Sequence, residues 1–313
     1  MTADSKPLFG KLALIGLGLI GSSVAHAARR AGLAAHIAGC DRDAEVLAVA
    51  RRIGFADSLH GSLADAVRDA DLVMLCTPVG SFGAIAKEIA PDLKPGAILS
   101  DVGGVKAAMV RDVGPHVPDG VHLIPAHPIA GTEQSGPAAG FAELFDGRWC
   151  ILTPPSGADP KAIEALTAFW KRCGSDVEVM DPKHHDLVLA ITSHVPHLIA
   201  YNIVGTAADL ETVTESEVIK YSAGGFRDFT RIAASDPTMW RDVFLNNREA
   251  VLEMLGRFNE DLNVLQRAIR WGDGKTLFDL FTRTRAIRRG VISAGQDSDV
   301  PNFGRNRPPK KDQ

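Results

Sequence analysis

The chain has 313 residues, which is long for one compact domain and suits two, each large enough to bury a core without disulfides or structural metals. Its 34 basic and 38 acidic side chains nearly balance, so no strong charge draws it to nucleic acid or an anionic membrane, and we expect a small-molecule partner. The four cysteines are widely spaced with no Cys-x-x-Cys pair, which is typical of reduced thiols in a cytoplasmic protein.

The first apolar run, residues 12–28 after Lys11, imitates a secretory signal peptide. A strand, a glycine turn and a helix explain it better, because a second strand ending in an acidic residue follows at the spacing of a dinucleotide fold. The sequence predicts no other stretch that is long and apolar enough to span a bilayer.

Strands and helices alternate through the first half of the chain. The sequence predicts strands at residues 12–15, 35–39, 72–76 and 98–101, and helices at 22–31, 44–53 and 63–70. Shorter strands are predicted at 122–125, 149–153 and 176–180, with a helix at 160–173. This alternation predicts an α/β fold, a Rossmann-like, doubly wound and mostly parallel sheet that ends near residue 180.

From residue 182 onward the pattern is helical only. Helices are predicted at 184–209, 214–224, 237–271 and 274–294, and Asp236 with Pro237 caps the third. We therefore expect a dinucleotide-binding domain at 1–181, an all-α substrate and dimerisation domain at 182–294, and a disordered tail at 295–313.

Apolar residues recur in alternating steps of four and three along the third of these helices. They are Val251, Leu255, Phe258, Leu262, Leu265 and Ile269. Such a stripe suits a seam against another helix, in this chain or in a second copy, and packing on the helix's own core explains it equally well. A homodimer through the helical domain is the expectation that follows.

The loop at residues 16–21 reads Gly-Leu-Gly-Leu-Ile-Gly, between an apolar strand and a helix. In this motif the first glycine makes a tight turn, the second admits a pyrophosphate to the backbone, and the third lets helix and strand pack closely. Asp41 follows Gly21 by twenty residues, where its carboxylate would bind the ribose hydroxyls and repel a 2′-phosphate. The sequence therefore predicts NAD in preference to NADP.

Three further residues belong to the cofactor prediction. Arg42 could grip a 2′-phosphate or stack on adenine, and beside a carboxylate we favour stacking. Thr77 and Pro78 close a strand at the carboxyl edge of the sheet, where ligands bind, although a proline that merely stops a strand explains them equally well. The expected cofactor-binding residues are Gly16, Gly18, Leu19, Ile20, Gly21, Asp41, Arg42, Thr77 and Pro78.

Two histidine motifs follow the glycine loop. His127 precedes Pro128, which favours an extended backbone that can aim the imidazole into a cleft; a structural histidine in a loop is the alternative. His194 and His197, in the motif that begins at Ser193, are about one helical turn apart and share a face. No metal site is expected, because no Glu or Cys nearby completes a ligand set.

A basic, aromatic segment follows at residues 224–241 and contains Arg227 and Arg231. Their guanidinium groups could bind a substrate carboxylate with two hydrogen bonds. Surface pairing with Asp228 or Asp236 is the alternative.

Five motifs occur in the same order as in one known family. They are Gly-x-Gly-x-x-Gly, Asp101-Val-Gly-Gly-Val-Lys106, His127-Pro-Ile-Ala-Gly-Thr-Glu133, Ser193-His-Val-Pro-His197, and Asp228-Phe-Thr-Arg231 through Trp240-Arg241. Over about residues 10–290, the chain resembles the prephenate/arogenate dehydrogenases of tyrosine biosynthesis.

The resemblance implies NAD-dependent oxidative decarboxylation of a cyclohexadienol, in which hydride leaves the carbon that bears the hydroxyl and carbon dioxide is lost. Prephenate would give 4-hydroxyphenylpyruvate. By position, His127 matches the histidine that accepts the hydrogen bond or proton of the ring hydroxyl. Ser193 and His197 match substrate-binding positions, and Arg231 matches the arginine that holds a substrate carboxylate.

The chain departs from the family pattern at Gly104, where a serine hydroxyl usually lies near the substrate hydroxyl and the histidine. We expect a water or another hydroxyl to replace it, and a Gly104→Ser variant several-fold faster than the parent would contradict this. Some relatives carry a fused mutase or regulatory domain, and too few residues flank the predicted elements here for either. Prephenate is the first expected substrate, with arogenate close behind.

Two other functions fit parts of the pattern. A two-domain β-hydroxyacid or imine-type dehydrogenase shares the glycine loop and a helical dimerising domain, but it does not explain the two histidine motifs. A non-catalytic NAD-binding module would fit Gly104, but His127, His197 and Arg231 argue against it.

Overall fold

The computed structural model describes residues 6–211 and 222–293. These residues form two compact units, the first made of 6–194 and 234–251, and the second of 195–211, 222–233 and 252–293. The predicted tail at 295–313 and most of the predicted helix at 214–224 lie outside the described residues. The predicted domain boundary after residue 181 stays a prediction.

Six parallel strands form the main sheet of the first unit. They are β1 (Phe9–Ile15), β2 (Ala34–Cys40), β3 (Ser58–His60), β4 (Leu72–Leu75), β5 (Ile98–Asp101) and β6 (His122–Leu123). Their order across the sheet is β3-β2-β1-β4-β5-β6, and every neighbouring pair is parallel. The reversal of strand order beside β1 makes a switch point at the carboxyl ends of β1 and β4, where such sheets bind ligands.

Helices connect these strands. They are α1 (Leu19–Arg30), α2 (Ala44–Ile53), α3 (Leu63–Val67), α4 (Phe82–Ile89) and α5 (Lys106–Val113). The central strands β4 and β5 are buried along their length because helices cover the sheet. Strand β4 is accordingly apolar throughout, whereas β5 ends in the buried polar residues Ser100 and Asp101. The predicted doubly wound, Rossmann-like sheet is confirmed, and β3, α4 and α5 are elements that the sequence analysis left out.

A second, three-stranded sheet follows, which corrects the expectation that the main sheet continues to residue 180. Its strands are β7 (Ala126–Pro128), β8 (Trp149–Leu152) and β9 (Asp176–Val179), with α6 (Pro160–Arg172) between the last two. Strand β7 runs antiparallel to β8, which is parallel to β9. Pro125 has no N–H to donate to a ladder, so the strand predicted at 122–125 ends at Leu123 and the chain pairs elsewhere.

The core of the first unit is aromatic where α6 lies. Phe169 and Trp170 are fully buried, and Trp170 makes an edge-to-face contact with Phe145 at a centroid distance of 5.3 Å. The four cysteines are unpaired; Cys40, Cys150 and Cys173 are buried.

After Val179 the described residues contain helices and no strand, as the sequence predicts. The helices are α7 (Pro182–Leu189), α8 (Val195–Glu211), α9 (Gly224–Thr230), α10 (Pro237–Asn246), α11 (Arg248–Trp271) and α12 (Gly274–Ser293). Two corrections apply. The helix predicted at 184–209 contains a π-helical segment, Ala190–His194, and the helix predicted at 237–271 breaks at Asn247, whose φ of −108° and ψ of 32° are not helical.

The run Pro182–Leu210 is long and apolar enough to cross a membrane by length and composition alone, which corrects the expectation that no such stretch exists. Its first turns nonetheless bury His185, Asp186 and His194 within the first unit. Because these polar side chains make hydrogen bonds to protein groups there, we interpret the run as part of a protein core.

Candidate active site

The glycine loop has the geometry that its sequence predicts. Gly16 has a φ of +95°, and a Cβ added to it would lie 2.8 Å from Cγ2 of Thr77. A Cβ on Gly21 would lie 2.1 Å from the carbonyl oxygen of Gly16, which no rearrangement of a side chain could relieve. Thr77 therefore packs against the loop, as expected of a residue at this edge of the sheet, and its Oγ1 lies 2.8 Å from Oγ of Ser81.

Gly18 differs from the other two glycines because nothing lies within 4 Å of the position of an added Cβ. It is the N-cap of α1, with no side chain to cap the helix, and Leu19, Ile20 and Gly21 form the first turn. The backbone N–H groups of a first turn have no partner inside the helix and attract phosphate. This open space fits a dinucleotide pyrophosphate.

Asp41 joins the end of β2 to the glycine loop. Its Oδ2 accepts a hydrogen bond from the backbone N–H of Leu17 at 2.9 Å, and its Oδ1 accepts one from Asp43 at 3.0 Å. Each carboxylate oxygen keeps a second lone pair, so Asp41 can still bind ribose hydroxyls. Arg42 and Pro78 are exposed beside this edge.

The second feature of the site is a chain of hydrogen bonds that begins at His127 in β7. Nδ1 of His127 lies 2.8 Å from Nε2 of His185, and Nδ1 of His185 lies 2.8 Å from Oδ1 of Asp186. His127 is half-buried and lies in a strand rather than in the predicted loop, paired with Ile151 of β8. The strand fixes the backbone that carries the imidazole.

The chain sets the tautomer of each histidine. A carboxylate only accepts hydrogen bonds, so Nδ1 of His185 carries the proton and its Nε2 accepts from Nδ1 of His127. In the neutral form, Nε2 of His127 is then left without a proton. This nitrogen is the one that can accept a proton from a bound molecule.

Asp186 is held in place by α5. Its two carboxylate oxygens accept hydrogen bonds from the backbone N–H groups of Lys106 and Ala107, at 2.7 and 2.9 Å. These groups open the helix, and the partial positive charge of a helix N-terminus stabilises a carboxylate. Asp186 is thus held in place at the end of the chain.

The pKa of His127 lies well below its ordinary value of 6.5, chiefly because the ring is desolvated, and secondarily because His185, Lys106 and His194 disfavour a second positive charge. Desolvation likewise lowers the pKa of His185. Both imidazoles are therefore neutral near pH 7, the form in which the hydrogen-bond chain leaves His127 free to accept a proton.

A fully buried ion pair locates the start of β7. Nζ of Lys106 contacts Oδ2 of Asp101 and donates to the carbonyl oxygen of Ala126 at 2.6 Å. Oδ1 of Asp101 accepts a hydrogen bond from the N–H of Ala126 at 3.2 Å. The backbone N–H and C=O groups of Ala126, the residue before His127, are thus both bound by the side chains of Asp101 and Lys106.

Gly104 faces the imidazole of His127. A Cβ added there would lie 3.8 Å from Cε1 and 3.9 Å from Nε2 of His127, and 3.9 Å from Nε2 of His194. The absent side chain therefore leaves space between two imidazole edges, where the family serine would stand.

The substrate-binding residues predicted from the sequence lie in different units. Ser193 lies in the π-helical segment of the first unit. His197 lies on α8 and Arg231 begins the 3-10 turn Arg231–Ala234, both in the second unit. Their roles toward substrate stay predictions. In the part of the chain that the structure describes, no group of three His, Cys, Asp or Glu residues is placed to hold a metal ion.

Three residues of the site were missed by the sequence analysis: His185, Asp186 and Lys106. His184 and His185 are adjacent and point apart on α7, so His184 is exposed and His185 is buried. The motif that ends at Lys106 was noted for the resemblance alone, and its charge spacing, Asp101 to Lys106, was the available signal.

Comparisons with known proteins show which family the chain belongs to. Residues 24–179 match the family model of the prephenate dehydrogenase nucleotide-binding domain, and residues 181–283 match that of the prephenate dehydrogenase dimerization domain. The chain is 41% identical to a cyclohexadienyl dehydrogenase of Zymomonas mobilis over 293 residues, which cover 94% of this chain and 99% of the relative. It is 32% identical to a prephenate dehydrogenase of Bacillus subtilis, covering 93% of this chain and 78% of that one.

Among solved structures, the prephenate dehydrogenase of Aquifex aeolicus in complex with hydroxyphenyl propionate and NAD+ superposes with a TM-score of 0.84 at 34% identity. The match covers 93% of this chain and all of that one. An arogenate dehydrogenase of Synechocystis matches with a TM-score of 0.74 at 26% identity, over 90% and 99% of the two chains. With a glycine loop, a histidine chain and matches of this extent, the chain belongs to the prephenate dehydrogenase family.

Proposed function

We propose that this protein catalyses the NAD-dependent oxidative decarboxylation of prephenate to 4-hydroxyphenylpyruvate, and of arogenate to tyrosine, in tyrosine biosynthesis. The observation that carries the proposal is the hydrogen-bond chain from Asp186 through His185 to His127, which presents an unprotonated Nε2 in a neutral imidazole. A group of that kind is what the removal of a hydroxyl proton requires near pH 7.

The reaction assigns His127 one proton. As the C–H bond at the hydroxyl-bearing carbon breaks, Nε2 of His127 takes the hydroxyl proton and a C=O bond develops. When the ring carboxylate leaves as carbon dioxide, the electron pair of the broken C–C bond enters the ring, and the oxygen takes the proton back from His127 as the phenol forms. NAD, when bound, supplies the acceptor for the hydride.

The dinucleotide is proposed to lie along the carboxyl edge of the main sheet. Gly16, Gly18 and Gly21, with the first turn of α1 at Leu19 and Ile20, would hold the pyrophosphate. Asp41 would bind the adenosine ribose and favour NAD over NADP, with Arg42 stacked on adenine and Thr77 and Pro78 bordering the site.

For the substrate, we propose that Arg231 holds a carboxylate and that Ser193 and His197 bind the rest of the molecule. These three assignments come from matching positions in the family motifs. Arg231 is exposed, and a guanidinium can bind a carboxylate through two parallel hydrogen bonds.

Residues 1–181 are proposed to form the dinucleotide-binding domain, and 182–294 the substrate and dimerisation domain. Large apolar side chains more than half exposed on α11 and α12 support a homodimer: Leu252, Ile269, Trp271, Phe278, Phe281 and Ile287. Sedimentation of a Trp271→Glu variant is expected to show dissociation, whereas Leu245→Glu, which changes an exposed leucine of the first unit, should not. A dimer that survives Trp271→Glu and Phe278→Glu together would contradict this interface.

A small-molecule enzyme with unpaired cysteines suits the cytoplasm, which is the proposed location.

The direct test is NADH absorbance after mixing the protein with NAD and either prephenate or arogenate, repeated with His127→Asn. Turnover by the parent and its loss in a variant that still binds NAD are the expected results. Turnover on β-hydroxyacids or imines instead would favour that class of two-domain dehydrogenase. NAD binding without turnover of any of these substrates would favour a non-catalytic module.

A further inference from the structure

His194 has its own fixed orientation, set by Asn247 at the break between α10 and α11. Nδ2 of Asn247 lies 2.8 Å from the backbone carbonyl oxygen of Asp186 and 3.1 Å from Nδ1 of His194. His194 and Asn247 are both buried, and the ring of Trp240 packs against the imidazole at a centroid distance of 6.1 Å. The ring therefore has one defined position.

These contacts also set the tautomer of His194. The carbonyl oxygen of Asp186 only accepts hydrogen bonds, so the Asn247 atom beside it is the amide nitrogen rather than the amide oxygen. The same nitrogen donates to Nδ1 of His194, which must then be unprotonated. In neutral His194 the proton sits on Nε2, the reverse of the arrangement in His127.

The two Nε2 atoms border the same space beside Gly104. Both lie 3.9 Å from the point where a Cβ of residue 104 would stand, and Gly104 leaves that point empty. One imidazole there accepts a hydrogen bond and the other donates one. A hydroxyl group is a ligand that can satisfy both at once, since it donates one hydrogen bond and accepts others.

We propose that His194 is a second catalytic residue, whose Nε2–H donates a hydrogen bond to the substrate hydroxyl oxygen while that hydroxyl donates its proton to His127. The inference rests on the proposed function and names the group that replaces the family serine at Gly104. It is an alternative to the expectation that water or another hydroxyl does so.

This donor acts where charge develops. When the hydroxyl proton moves to Nε2 of His127 and hydride leaves the carbon, the oxygen becomes a carbonyl oxygen and then, after loss of carbon dioxide, a phenolate. The Nε2–H of His194 stabilises the negative charge at each stage without transferring its own proton. A fixed donor in a site of low dielectric contributes most when that charge is greatest.

Two substitutions of His194 distinguish a role as hydrogen-bond donor from a role in packing alone. In His194→Asn the side-chain oxygen can still accept from Asn247, but nothing reaches the position of Nε2. In His194→Gln the amide nitrogen reaches that position. We expect kcat of His194→Asn to fall about a hundredfold, the usual effect of removing one such donor. His194→Gln should keep at least tenfold more activity, and both variants should bind NAD like the parent.

A serine at position 104 gives the matching gain of function. The space at Gly104 admits a Cβ, and a serine hydroxyl there could donate to the same substrate oxygen. Gly104→Ser should change kcat by less than threefold in the parent but raise it at least tenfold in the His194→Asn background. Equal effects of Gly104→Ser in both backgrounds would overturn the proposal, as would a His194→Asn variant within threefold of the parent.

The tautomers can be read without any substitution. Histidine ¹⁵N spectra of the unmutated protein near pH 7 should show a protonated Nε2 on His194 and a protonated Nδ1 on His127, and the opposite tautomer on His194 would overturn the proposal. Failure of the parent to turn over either cyclohexadienol would instead refute the proposed function. Turnover by the parent with an inert His194→Gln and an equally inert His194→Asn would refute the donor role alone.

Discussion

Nε2 of His185 lies 2.8 Å from Nδ1 of His127, and this contact decides which nitrogen of His127 carries a proton. Because the far side of His185 is bound to Asp186, the ring of His185 can only accept from His127. Nε2 of His127 is kept unprotonated by a residue that need not touch the substrate. We therefore expect His185 to act as a positioning residue.

Replacing His185 with Phe keeps a ring of similar size and removes both nitrogens. Nδ1 of His127 would then be buried without its partner, and the ring could turn or adopt the other tautomer. An unmade buried hydrogen bond costs about 1–3 kcal/mol, which corresponds to a fall in kcat of about five- to 150-fold. Steady-state kinetics should show this fall in kcat, with the KM for NAD unchanged.

His184→Phe is the matched control, since His184 is the exposed neighbour on the same helix. It should leave kcat within twofold of the parent. His185→Gln, whose amide oxygen can accept from His127, should recover part of the activity lost in His185→Phe. If His185→Phe turns over as fast as the His184 control, the positioning role is wrong.

The pH profile should reflect the depressed pKa of His127. Desolvation, with His185, Lys106 and His194, lowers this pKa well below 6.5, and the form proposed to be active is the deprotonated one. The acidic limb of kcat/KM should thus lie below pH 6.5, with full activity retained at that pH. An acidic limb centred at or above pH 6.5, measured with a substrate concentration far below KM, would exclude His127 as a desolvated base.

The same shift predicts how stability depends on pH. Between the lowered pKa of folded His127 and the ordinary value of 6.5, the unfolded chain binds more protons than the folded one. The stability that neutral, folded His127 contributes is therefore fully present above pH 6.5. It is lost as the pH falls from 6.5 through the lowered pKa of the folded state. His185, whose pKa is also lowered, acts in the same direction. Urea denaturation of the parent and of His127→Asn should show a smaller acid dependence in the variant.

The first part of the site could be predicted from the sequence because its geometry is local. Gly16, Gly18 and Gly21 follow one another on one turn, and the spacing from Gly21 to Asp41 is fixed by one helix and one strand. The parallel sheet is recoverable for a similar reason, since buried strands are continuous apolar runs. The spacing of nearby residues in the sequence was therefore enough to predict both the glycine loop and the parallel sheet.

The histidine chain could not be predicted in this way because its members are distant in the sequence. His127 meets His185 only because β7 leaves the main sheet after Pro125 and α7 packs against α5. Asn247 reaches His194 only because the helix predicted at 237–271 breaks at that residue. A hydrogen bond between residues more than fifty positions apart leaves no periodic pattern in the sequence from which it could be predicted.

The buried pair of Lys106 and Asp101 predicts that changing both residues costs less stability than the sum of the two single changes. Burial raises the pKa of Asp101 and lowers that of Lys106, so each charge depends on the other. Removing one partner leaves an uncompensated charge in the core, at a cost of about 3–5 kcal/mol.

A double-mutant cycle in urea can measure this coupling. Lys106→Met and Asp101→Leu should each lower the free energy of unfolding by about 3–5 kcal/mol, and the double variant by less than their sum. Lys94→Met is the control, because Lys94 pairs with Asp71 near the surface, where such a pair contributes about 1 kcal/mol at most. Additive losses would mean that the two charges are not coupled.

The second and third glycines of the loop should respond differently to alanine. Gly18 has a φ of −72°, which any residue adopts, and open space at its Cβ, so Gly18→Ala should fold like the parent. The methyl group would, however, occupy the space proposed for the pyrophosphate and weaken NAD binding at least tenfold. Gly21→Ala places Cβ 2.1 Å from a backbone oxygen, so the helix must shift and the melting temperature should fall by several degrees, about 2–4 °C per kcal/mol lost.

Calorimetry of NAD binding and thermal melts of both variants distinguish the two roles. Gly61→Ala serves as the control, because Gly61 is exposed with open space at its Cβ, far along the chain from the loop. It should match the parent in both measurements. A Gly18→Ala variant that binds NAD as tightly as Gly61→Ala would mean that the backbone at residue 18 does not approach the phosphates. Loss of stability in Gly18→Ala equal to that in Gly21→Ala would mean that the open space beside Gly18 is needed by the fold itself.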